Sequence, residues 1–119
     1  MQKRILVVDD DDMNLTRTRI ILKNDYDVIL VNSGMKALDT LKREKVDLVL
    51  LDTEMPNMDG FETFRQMKEF ADGIPVIFLT ASGLEDDVVN AINLGAVNYL
   101  KKPFIPKELQ RRVAQEFEK

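Results

Sequence analysis

Five short apolar runs, rich in valine, isoleucine and leucine, recur along this chain of 119 residues and constrain its fold more than any other feature. Near-continuous apolar runs of this length are typical of strands that are covered on both faces, as in a parallel sheet. The runs are RILVV (4–8), DVILV (27–31), DLVLL (47–51), PVIFL (75–79) and AVNYL (96–100). The sequence therefore predicts five parallel strands.

The segments between these runs are long enough for helices and carry apolar residues at helical period. Three such stripes are Phe61, Phe64 and Met67; Val88, Ala91 and Ile92; and Leu109, Val113 and Phe117. Ser33 and Asp59 are typical helix N-caps, and Glu62 completes a capping box with Asp59. Pro106 suits a first helical turn. A β-α pattern repeated five times, with right-handed crossovers, predicts an α/β fold with a doubly wound, five-stranded parallel sheet and helices on both faces.

Composition limits the chemistry that this chain can carry out. It has no cysteine and no histidine, which excludes disulfides, thiolate chemistry and imidazole as a base, metal ligand or phosphoryl carrier. The net charge of −4 argues against direct nucleic-acid binding by this domain, because such binding depends on neutralising phosphates. No apolar run approaches the ~20 residues that cross a bilayer, and the first run is too short for a signal-peptide core. We therefore expect one cytoplasmic domain over residues 1–119, with no membrane contact.

Polar side chains follow four of the five predicted strands. Asp9 and Asp10 come directly after the first strand, and Asp52 comes after the third. Thr80 follows the fourth strand, and Lys102 follows the fifth. Ligands of doubly wound sheets bind at the carboxyl ends of the strands, so these groups are expected to converge.

A cluster of three aspartates predicts a bound cation. Two carboxylates ~4 Å apart repel by about 4 kcal/mol at an effective dielectric constant near 20. Clustering Asp9, Asp10 and Asp52 would therefore destabilise the fold unless a cation lay among them. Oxygen ligands without histidine indicate Mg²⁺ rather than zinc.

Each of these residues also has a simpler interpretation. Asp11 and Asp12 are favoured caps for the first helix, and the carboxylate trio could be an accident of the assumed fold. Thr80 could merely lead into the next helix, and Lys102 could be a solvated lysine. Taken together, however, a metal trio, a hydroxyl and a lysine around one aspartate form the set that phosphoryl transfer onto a carboxylate requires.

In these residues the sequence resembles the receiver domains of response regulators in two-component signalling, the CheY-like family. The motifs are the acidic pair in ILVVDD, the acceptor in LVLLDTEMPNMDGFE, the threonine in PVIFLTA and the lysine in YLKKPF. Their order and spacing extend the resemblance over essentially the whole chain. It implies a flavodoxin-like strand order, 2-1-3-4-5, and a phosphorelay signalling domain rather than an enzyme.

The resemblance also implies a role for each acidic residue. Asp52 would accept the phosphoryl group and would itself be a ligand of Mg²⁺. Asp10 would bind Mg²⁺ directly, while Asp9 would hold it largely through water. The backbone carbonyl of Glu54 would complete the ligands that the protein supplies.

Further residues would bind the transferred group and respond to it. Thr80 would hydrogen-bond one phosphoryl oxygen and Lys102 would pair with another, with a cis peptide between Lys102 and Pro103. Tyr99 matches the switch aromatic of the family, which is expected to turn inward as Thr80 moves toward the phosphoryl group. A half-buried strand tyrosine is compatible with that role.

The implied phosphoryl donor is a phosphohistidine on a sensor histidine kinase or a histidine phosphotransfer protein. Phosphorylation is expected to shift a pre-existing equilibrium at the face formed by the predicted fourth helix (residues 84–94), fifth strand and fifth helix. That face would signal to a downstream effector or output domain, and phosphorylation-dependent homodimerisation is a further implication. Whether an output domain follows residue 119 stays open.

Three rival interpretations are weaker. An aspartate-nucleophile phosphohydrolase of the haloacid dehalogenase type uses Asp-x-Asp after the first strand, whereas the acceptor here follows the third strand and reads Asp-Thr-Glu. A flavodoxin-like nucleotide binder would need a glycine-rich turn after the first strand, which is absent. A pseudo-receiver, which folds but is not phosphorylated, is the binding-module alternative, and the intact set of site residues argues against it.

Overall fold

The computed structural model describes residues 2–81, 86, 89, 92, 93, 95 and 98–118. Its strands are β1 (Arg4–Val8), β2 (Asp27–Val31), β3 (Leu48–Asp52), β4 (Val76–Thr80) and β5 (Asn98–Lys101). Its helices are α1 (Asp12–Leu22), α2 (Gly34–Arg43), α3 (Gly60–Met67) and α4 (Pro106–Phe117). The helix that the sequence predicts as the fifth is therefore α4 of the structure.

The five strands form one parallel sheet in the order β2-β1-β3-β4-β5. This confirms the predicted α/β fold and its flavodoxin-like order, 2-1-3-4-5. Because β1 pairs with both β2 and β3, the strand order reverses at β1. The crevice beside such a reversal, at the carboxyl ends of the strands, is where ligands of these sheets bind.

Helices cover both faces of the sheet. Alternate strand residues point to opposite faces, so the apolar strands supply two core layers. On one face α2 and α3 pack on the sheet through Ala37, Leu38, Leu41, Phe64 and Met67. On the other face α1 and α4 pack through Leu15, Leu22, Leu109 and Val113. The near-continuous apolar runs of the central strands are thus explained by burial on both sides.

The predicted helix starts are confirmed, although the Glu62 carboxylate, predicted to complete a capping box, accepts instead from Arg65 and Gln66. The Ser33 hydroxyl caps α2 by accepting from the backbone N–H of Lys36 at 3.1 Å. The carboxylate of Asp59 caps α3 by accepting from the backbone N–H of Glu62 at 2.8 Å. Pro106 is the first residue of α4.

The cap of α1 is Asp11, whose side chain accepts from the backbone N–H groups of Met13 and Asn14. Asp12 is the first helical residue. The simpler interpretation of these two aspartates, as the start of a helix, therefore agrees with the structure.

Three strands, β3, β4 and β5, end one residue later than the apolar runs predict. Asp52 pairs with Leu79 and is the last residue of β3. Thr80 pairs with Lys101 and is the last residue of β4. The ladder continues past the apolar residues because pairing depends on the backbone, whereas the prediction ended each strand where the side chains become polar.

The predicted fourth helix falls largely outside the described residues. Residues 86, 89, 92 and 93 have helical backbone, and Ile92 packs against the core on the α2–α3 face. Val88 and Ala91 of the predicted stripe lie outside the described residues, as do residues 96 and 97, where the fifth strand was predicted to begin. Among the described helices, none is long and apolar enough to span a bilayer.

Candidate functional site

Three carboxylates meet at the reversal of strand order. Asp9 and Asp10 follow β1, and Asp52 ends β3 on the adjacent strand. One carboxylate oxygen from each of the three lies within 4.8 Å of the others. Asp9 and Asp52 are 2% and 5% exposed, whereas Asp10 is exposed to solvent. The structure thus brings together the three aspartates that the sequence predicted at one site.

The buried carboxylate of Asp9 is held from two sides. Its Oδ1 accepts from the backbone N–H of Asp11 at 3.0 Å, and its Oδ2 accepts from the Lys102 ammonium at 3.0 Å. Its own backbone N–H donates to the Val31 carbonyl of β2 at 3.2 Å. These contacts fix the orientation of Asp9, so that its charge is directed into the cluster.

Lys102 enters the cluster from the loop after β5. Its Nζ lies 3.0 Å from Asp9 Oδ2 and 3.3 Å from Asp52 Oδ1. Its backbone N–H donates to the Thr80 carbonyl at 2.7 Å, which ties the loop to the end of β4. The peptide between Lys102 and Pro103 is cis, as the resemblance implied. The Lys102 ammonium, predicted from the sequence as part of this site, therefore lies beside the aspartates.

The pKa of Asp52 is raised to about 6. Burial is the main cause; the nearby Lys102 ammonium opposes it, and the Asp9 carboxylate adds to it. The pKa of Lys102 is raised as well, because attraction to Asp52 and Asp9 outweighs the effect of burial, which alone would lower it. Each group shifts the other toward its charged form, as expected for an ion pair in a partly dry site.

Thr80 lies at the end of β4 and is fully buried. Its hydroxyl donates to the carbonyl of Ala81 at 3.2 Å and accepts from the hydroxyl of Thr53 at 3.4 Å. Thr53 is the residue after Asp52, and the sequence analysis did not single it out. Aligning the third and fourth apolar runs from their ends would have set Asp52, not Thr53, beside Thr80. The observed register pairs Asp52 with Leu79, so the sequence pattern carries no signal for the pair of Thr53 and Thr80.

Glu54 lines the pocket that holds the carboxylates, whereas Tyr99 lies in β5. The backbone N–H of Glu54 donates to Asp52 Oδ1 at 3.2 Å, while its side chain is exposed at the mouth of the site. Tyr99 is half-buried in β5 and packs against the core on the α2–α3 face. Its carbonyl accepts from the Arg112 guanidinium of α4 at 3.0 Å.

The carboxylates line an open pocket of about 800 Å³. Its walls include Asp9, Asp10, Asp52, Thr53, Glu54, Met55, Pro56, Asp59, Phe61, Ala81 and Lys102. The converging donors are carboxylate oxygens, which are among the ligands that Mg²⁺ and Ca²⁺ take in proteins. The side chains present therefore fit a hard divalent cation, and the open mouth admits a reacting group from solvent.

A family model described as "Response regulator receiver domain" matches residues 5–114. The chain belongs to the response regulator receiver family. Phosphorylation on an aspartate is characteristic of these domains, as is Mg²⁺ binding through acidic residues. In this receiver domain the clustered acidic residues are Asp9, Asp10 and Asp52.

Similar proteins agree with this assignment. The receiver domain is 40% identical over 114 residues to the alkaline phosphatase synthesis transcriptional regulatory protein PhoP of Bacillus subtilis, a match that covers 95% of this chain and 48% of PhoP. A CheY-like receiver domain from Methanospirillum hungatei has a TM-score of 0.93 at 29% identity, covering 99% and 95% of the two chains. The beryllofluoride-activated receiver domain of DrrB has a TM-score of 0.89 at 32% identity, and each chain is covered completely.

The chain spans about half the length of PhoP, the curated relative described above. The name of PhoP describes that protein as a transcriptional regulatory protein.

Proposed function

We propose that Asp52 accepts a phosphoryl group from a phosphohistidine on a partner protein and that the domain then signals through a change of conformation. The observation that carries this proposal is the convergence of Asp9, Asp10 and Asp52 within 4.8 Å. Mutual repulsion would disfavour such a cluster unless it held cations. Lys102 supplies one positive charge, and the oxygen donors suit another.

The transfer itself is a displacement at phosphorus. A carboxylate oxygen of Asp52 forms the new P–O bond while the P–N bond of the donor breaks. The electron pair of that bond stays with the imidazole nitrogen, which then takes a proton from solvent. Because the pKa of Asp52 is about 6, the nucleophile is mostly ionised at neutral pH. Its product is an acyl phosphate.

The proposed metal ligands are Asp10, Asp52 and the backbone carbonyl of Glu54, with Asp9 acting largely through water. Bound Mg²⁺ would supply positive charge that offsets the carboxylates and the charge that develops on the phosphoryl oxygens. The burial of Asp9 and its two hydrogen bonds suit an orienting role. The exposure of Asp10 suits a carboxylate that can turn toward the ion.

Thr80 and Lys102 are the proposed ligands of the phosphoryl group. The Lys102 ammonium already contacts Asp52, so it is close enough to pair with an oxygen of a group attached there. The Thr80 hydroxyl is turned to Ala81 and Thr53 and would have to exchange these partners for a phosphoryl oxygen. Tyr99 would follow Thr80, and the face formed by residues 84–94, β5 and α4 would change with it.

The proposed partners follow from this chemistry. A sensor histidine kinase or a histidine phosphotransfer protein would donate the phosphoryl group, and an effector or output domain would read the altered face. The cytoplasmic location that the sequence analysis expected for this domain stays part of the proposal. Direct nucleic-acid binding by the domain itself is not part of the proposal, and dimerisation on phosphorylation stays a prediction.

Intact mass after incubation with Mg²⁺ and a small acyl phosphate tests the proposal. We expect the parent to gain one phosphoryl group and Asp52→Asn to gain none. Asp39→Asn is the matched control, because Asp39 is an exposed aspartate that pairs with Arg43 on α2. It should be phosphorylated like the parent.

A parent that gains no mass from the acyl phosphate is next given a phosphohistidine donor and titrated with Mg²⁺. A parent that binds no Mg²⁺ and gains no phosphoryl group would be a pseudo-receiver and would contradict the proposal, whereas Mg²⁺ binding without phosphorylation would favour a receiver that needs its cognate donor. Phosphorylation that persists in Asp52→Asn would assign the acceptor to another residue.

A further inference from the structure

Thr53 and Thr80 stand side by side at the ends of neighbouring strands. The backbone N–H of Thr53 donates to the Leu79 carbonyl at 3.0 Å, which extends the β3–β4 ladder one step beyond Asp52. The step brings the Thr53 hydroxyl to 3.4 Å from the Thr80 hydroxyl. Both side chains are buried, with Thr53 2% exposed and Thr80 not exposed at all.

In this conformation the hydroxyl of Thr80 is engaged in both directions. A threonine hydroxyl has one proton to donate and two lone pairs that accept. The proton of Thr80 is given to the Ala81 carbonyl, and one lone pair accepts the proton of Thr53. Thr80 can donate to a phosphoryl oxygen only after it releases Ala81.

Turning Thr80 away also affects Thr53. A hydroxyl that remains buried without a partner destabilises the state in which it occurs by more than an average hydrogen bond contributes. The Thr53 hydroxyl has its partner while Thr80 rests and loses that partner when Thr80 turns to Asp52. Its presence therefore favours the resting position of Thr80 over the engaged one.

We propose that Thr53 is a positioning residue that holds the Thr80 hydroxyl in its resting contacts and thereby sets how readily Thr80 engages a phosphoryl group on Asp52. This inference rests on the proposed function and deepens it, because it names a residue that regulates the same site. Thr53 touches neither the donor nor the transferred group in this proposal; it acts through Thr80 alone.

A simpler role for Thr53 is to fill space between β3 and β4. Valine has nearly the shape of threonine and would fill the same space, so a filling role predicts that Thr53→Val behaves as the parent. The positioning role predicts a change on losing the hydroxyl and recovery in Thr53→Ser, which keeps it. The two roles therefore differ in a measurable way.

Beryllofluoride is a stable analogue of the phosphoryl group. The experiment titrates each protein with beryllofluoride in the presence of Mg²⁺ and follows binding by NMR. We expect Thr53→Val to bind about fivefold more tightly than the parent, the ratio that corresponds to one average hydrogen bond. Thr53→Ser should bind like the parent. Thr40→Val is the matched control, since Thr40 is also buried and its hydroxyl donates to the Lys36 carbonyl within α2 at 2.8 Å.

A spectroscopic signature accompanies the affinity. Without beryllofluoride, the methyl resonance of Thr80 in Thr53→Val should move toward the position it takes in the bound parent. Thr53→Ala, which also lacks the hydroxyl, should shift this resonance in the same direction and replaces Thr53→Val if the valine variant does not fold.

Equal affinities for the parent and Thr53→Val, or equal gains for Thr53→Val and Thr53→Ser, would overturn the inference. If the parent still binds beryllofluoride and is phosphorylated, either of these results leaves the proposed function intact. A parent that neither binds the analogue nor gains a phosphoryl group contradicts the proposed function and this inference with it.

Discussion

The ammonium nitrogen of Lys102 lies 3.0 Å from Oδ2 of Asp9, although 93 positions separate the two residues in the chain. The same nitrogen lies 3.3 Å from Oδ1 of Asp52. One lysine therefore partly neutralises two carboxylates that would otherwise repel each other. Mg²⁺ would be attracted by the same carboxylates. The lysine and the metal ion would therefore compete for the same negative charge and repel each other.

Removing the charge of Lys102 should separate metal binding from phosphorylation. In Lys102→Met the carboxylates lose a positive neighbour, so Mg²⁺ should bind at least about fivefold more tightly by the Coulomb estimate for a partly solvated site. Phosphorylation by a small acyl phosphate should fall, because the ligand for one phosphoryl oxygen is gone. Mg²⁺ titration by NMR and intact mass measure the two effects.

Lys101→Met is the control for the change of charge. Lys101 is the neighbouring lysine, and its side chain is exposed. This variant should bind Mg²⁺ and accept a phosphoryl group nearly as the parent does. Weaker Mg²⁺ binding in Lys102→Met would show that the lysine helps to hold the metal and would contradict the prediction.

Stability without Mg²⁺ should depend on pH through Asp52. Its pKa is about 6 in the folded protein, against an ordinary value of 3.8 for an aspartate, so the folded state binds the proton more tightly than the unfolded state does. The associated stability is fully present below pH 3.8 and is lost as the pH rises through about 6. Asp52→Asn, which carries no charge, should therefore be more stable than the parent at pH 7.5.

We expect this gain to be about 1–2 kcal/mol, less than the full shift of the pKa would give, because solvent screens the mouth of the site. Urea unfolding of both proteins from pH 5 to pH 8 measures it, with added Mg²⁺ expected to reduce the difference. If the difference in the free energy of unfolding between the two proteins does not shrink toward pH 5, its cause is not the charge of Asp52.

The site residues could be predicted from the sequence because their chemistry and their position coincide. Asp9, Asp52 and Lys102 are polar groups at the ends of apolar strands, and parallel strands bring their carboxyl ends to one edge. The helix caps Ser33 and Asp59 could be predicted because a cap depends on neighbours only a few residues away.

Thr53 could not be identified in the same way, because its partner is known only once the register of β3 and β4 is known. The pairing of Asp52 with Leu79 fixes that register, and a run of apolar residues does not specify it. The raised pKa of Asp52 is equally hidden from the sequence. It results from burial together with charges that β1 and the loop after β5 bring in from distant parts of the chain.

Gly60 allows the start of α3 to approach the end of β3, so an added side chain should displace the acceptor. A Cβ at Gly60 would clash with the backbone carbonyl oxygen of Asp52 and crowd the Cα of Thr53. Gly60→Ala should lower stability by about 1–3 kcal/mol, as overpacking does, and should slow phosphorylation of Asp52. Urea unfolding and the rate of mass gain measure the two effects.

Gly73→Ala is the control for this prediction, because a Cβ at Gly73 meets no atom within 4 Å. It should leave both stability and the rate of phosphorylation close to those of the parent. A Gly60→Ala protein with parental stability and rate would mean that the loop before α3 relaxes without moving Asp52.

Arg112 should stabilise the edge of the sheet at Tyr99. β5 is one of the two edge strands, and the outward N–H and carbonyl of Tyr99 are bound by side chains. The N–H donates to Asn98 Oδ1 at 2.8 Å, and the carbonyl accepts from Arg112 at 3.0 Å. Arg112→Met should lower the free energy of unfolding by about 1 kcal/mol and speed amide hydrogen exchange in β5, because the edge of the strand loses a side-chain bond.

Arg111→Met separates this effect from the loss of an ion pair. Both arginines pair with Glu108 on α4, and Arg111 is the more exposed of the two. Exposed pairs contribute less than about 1 kcal/mol, so Arg111→Met should change stability little and leave exchange in β5 unaltered. If the two variants accelerate exchange in β5 equally, the contact with Glu108, and not the bond to Tyr99, is what holds the strand.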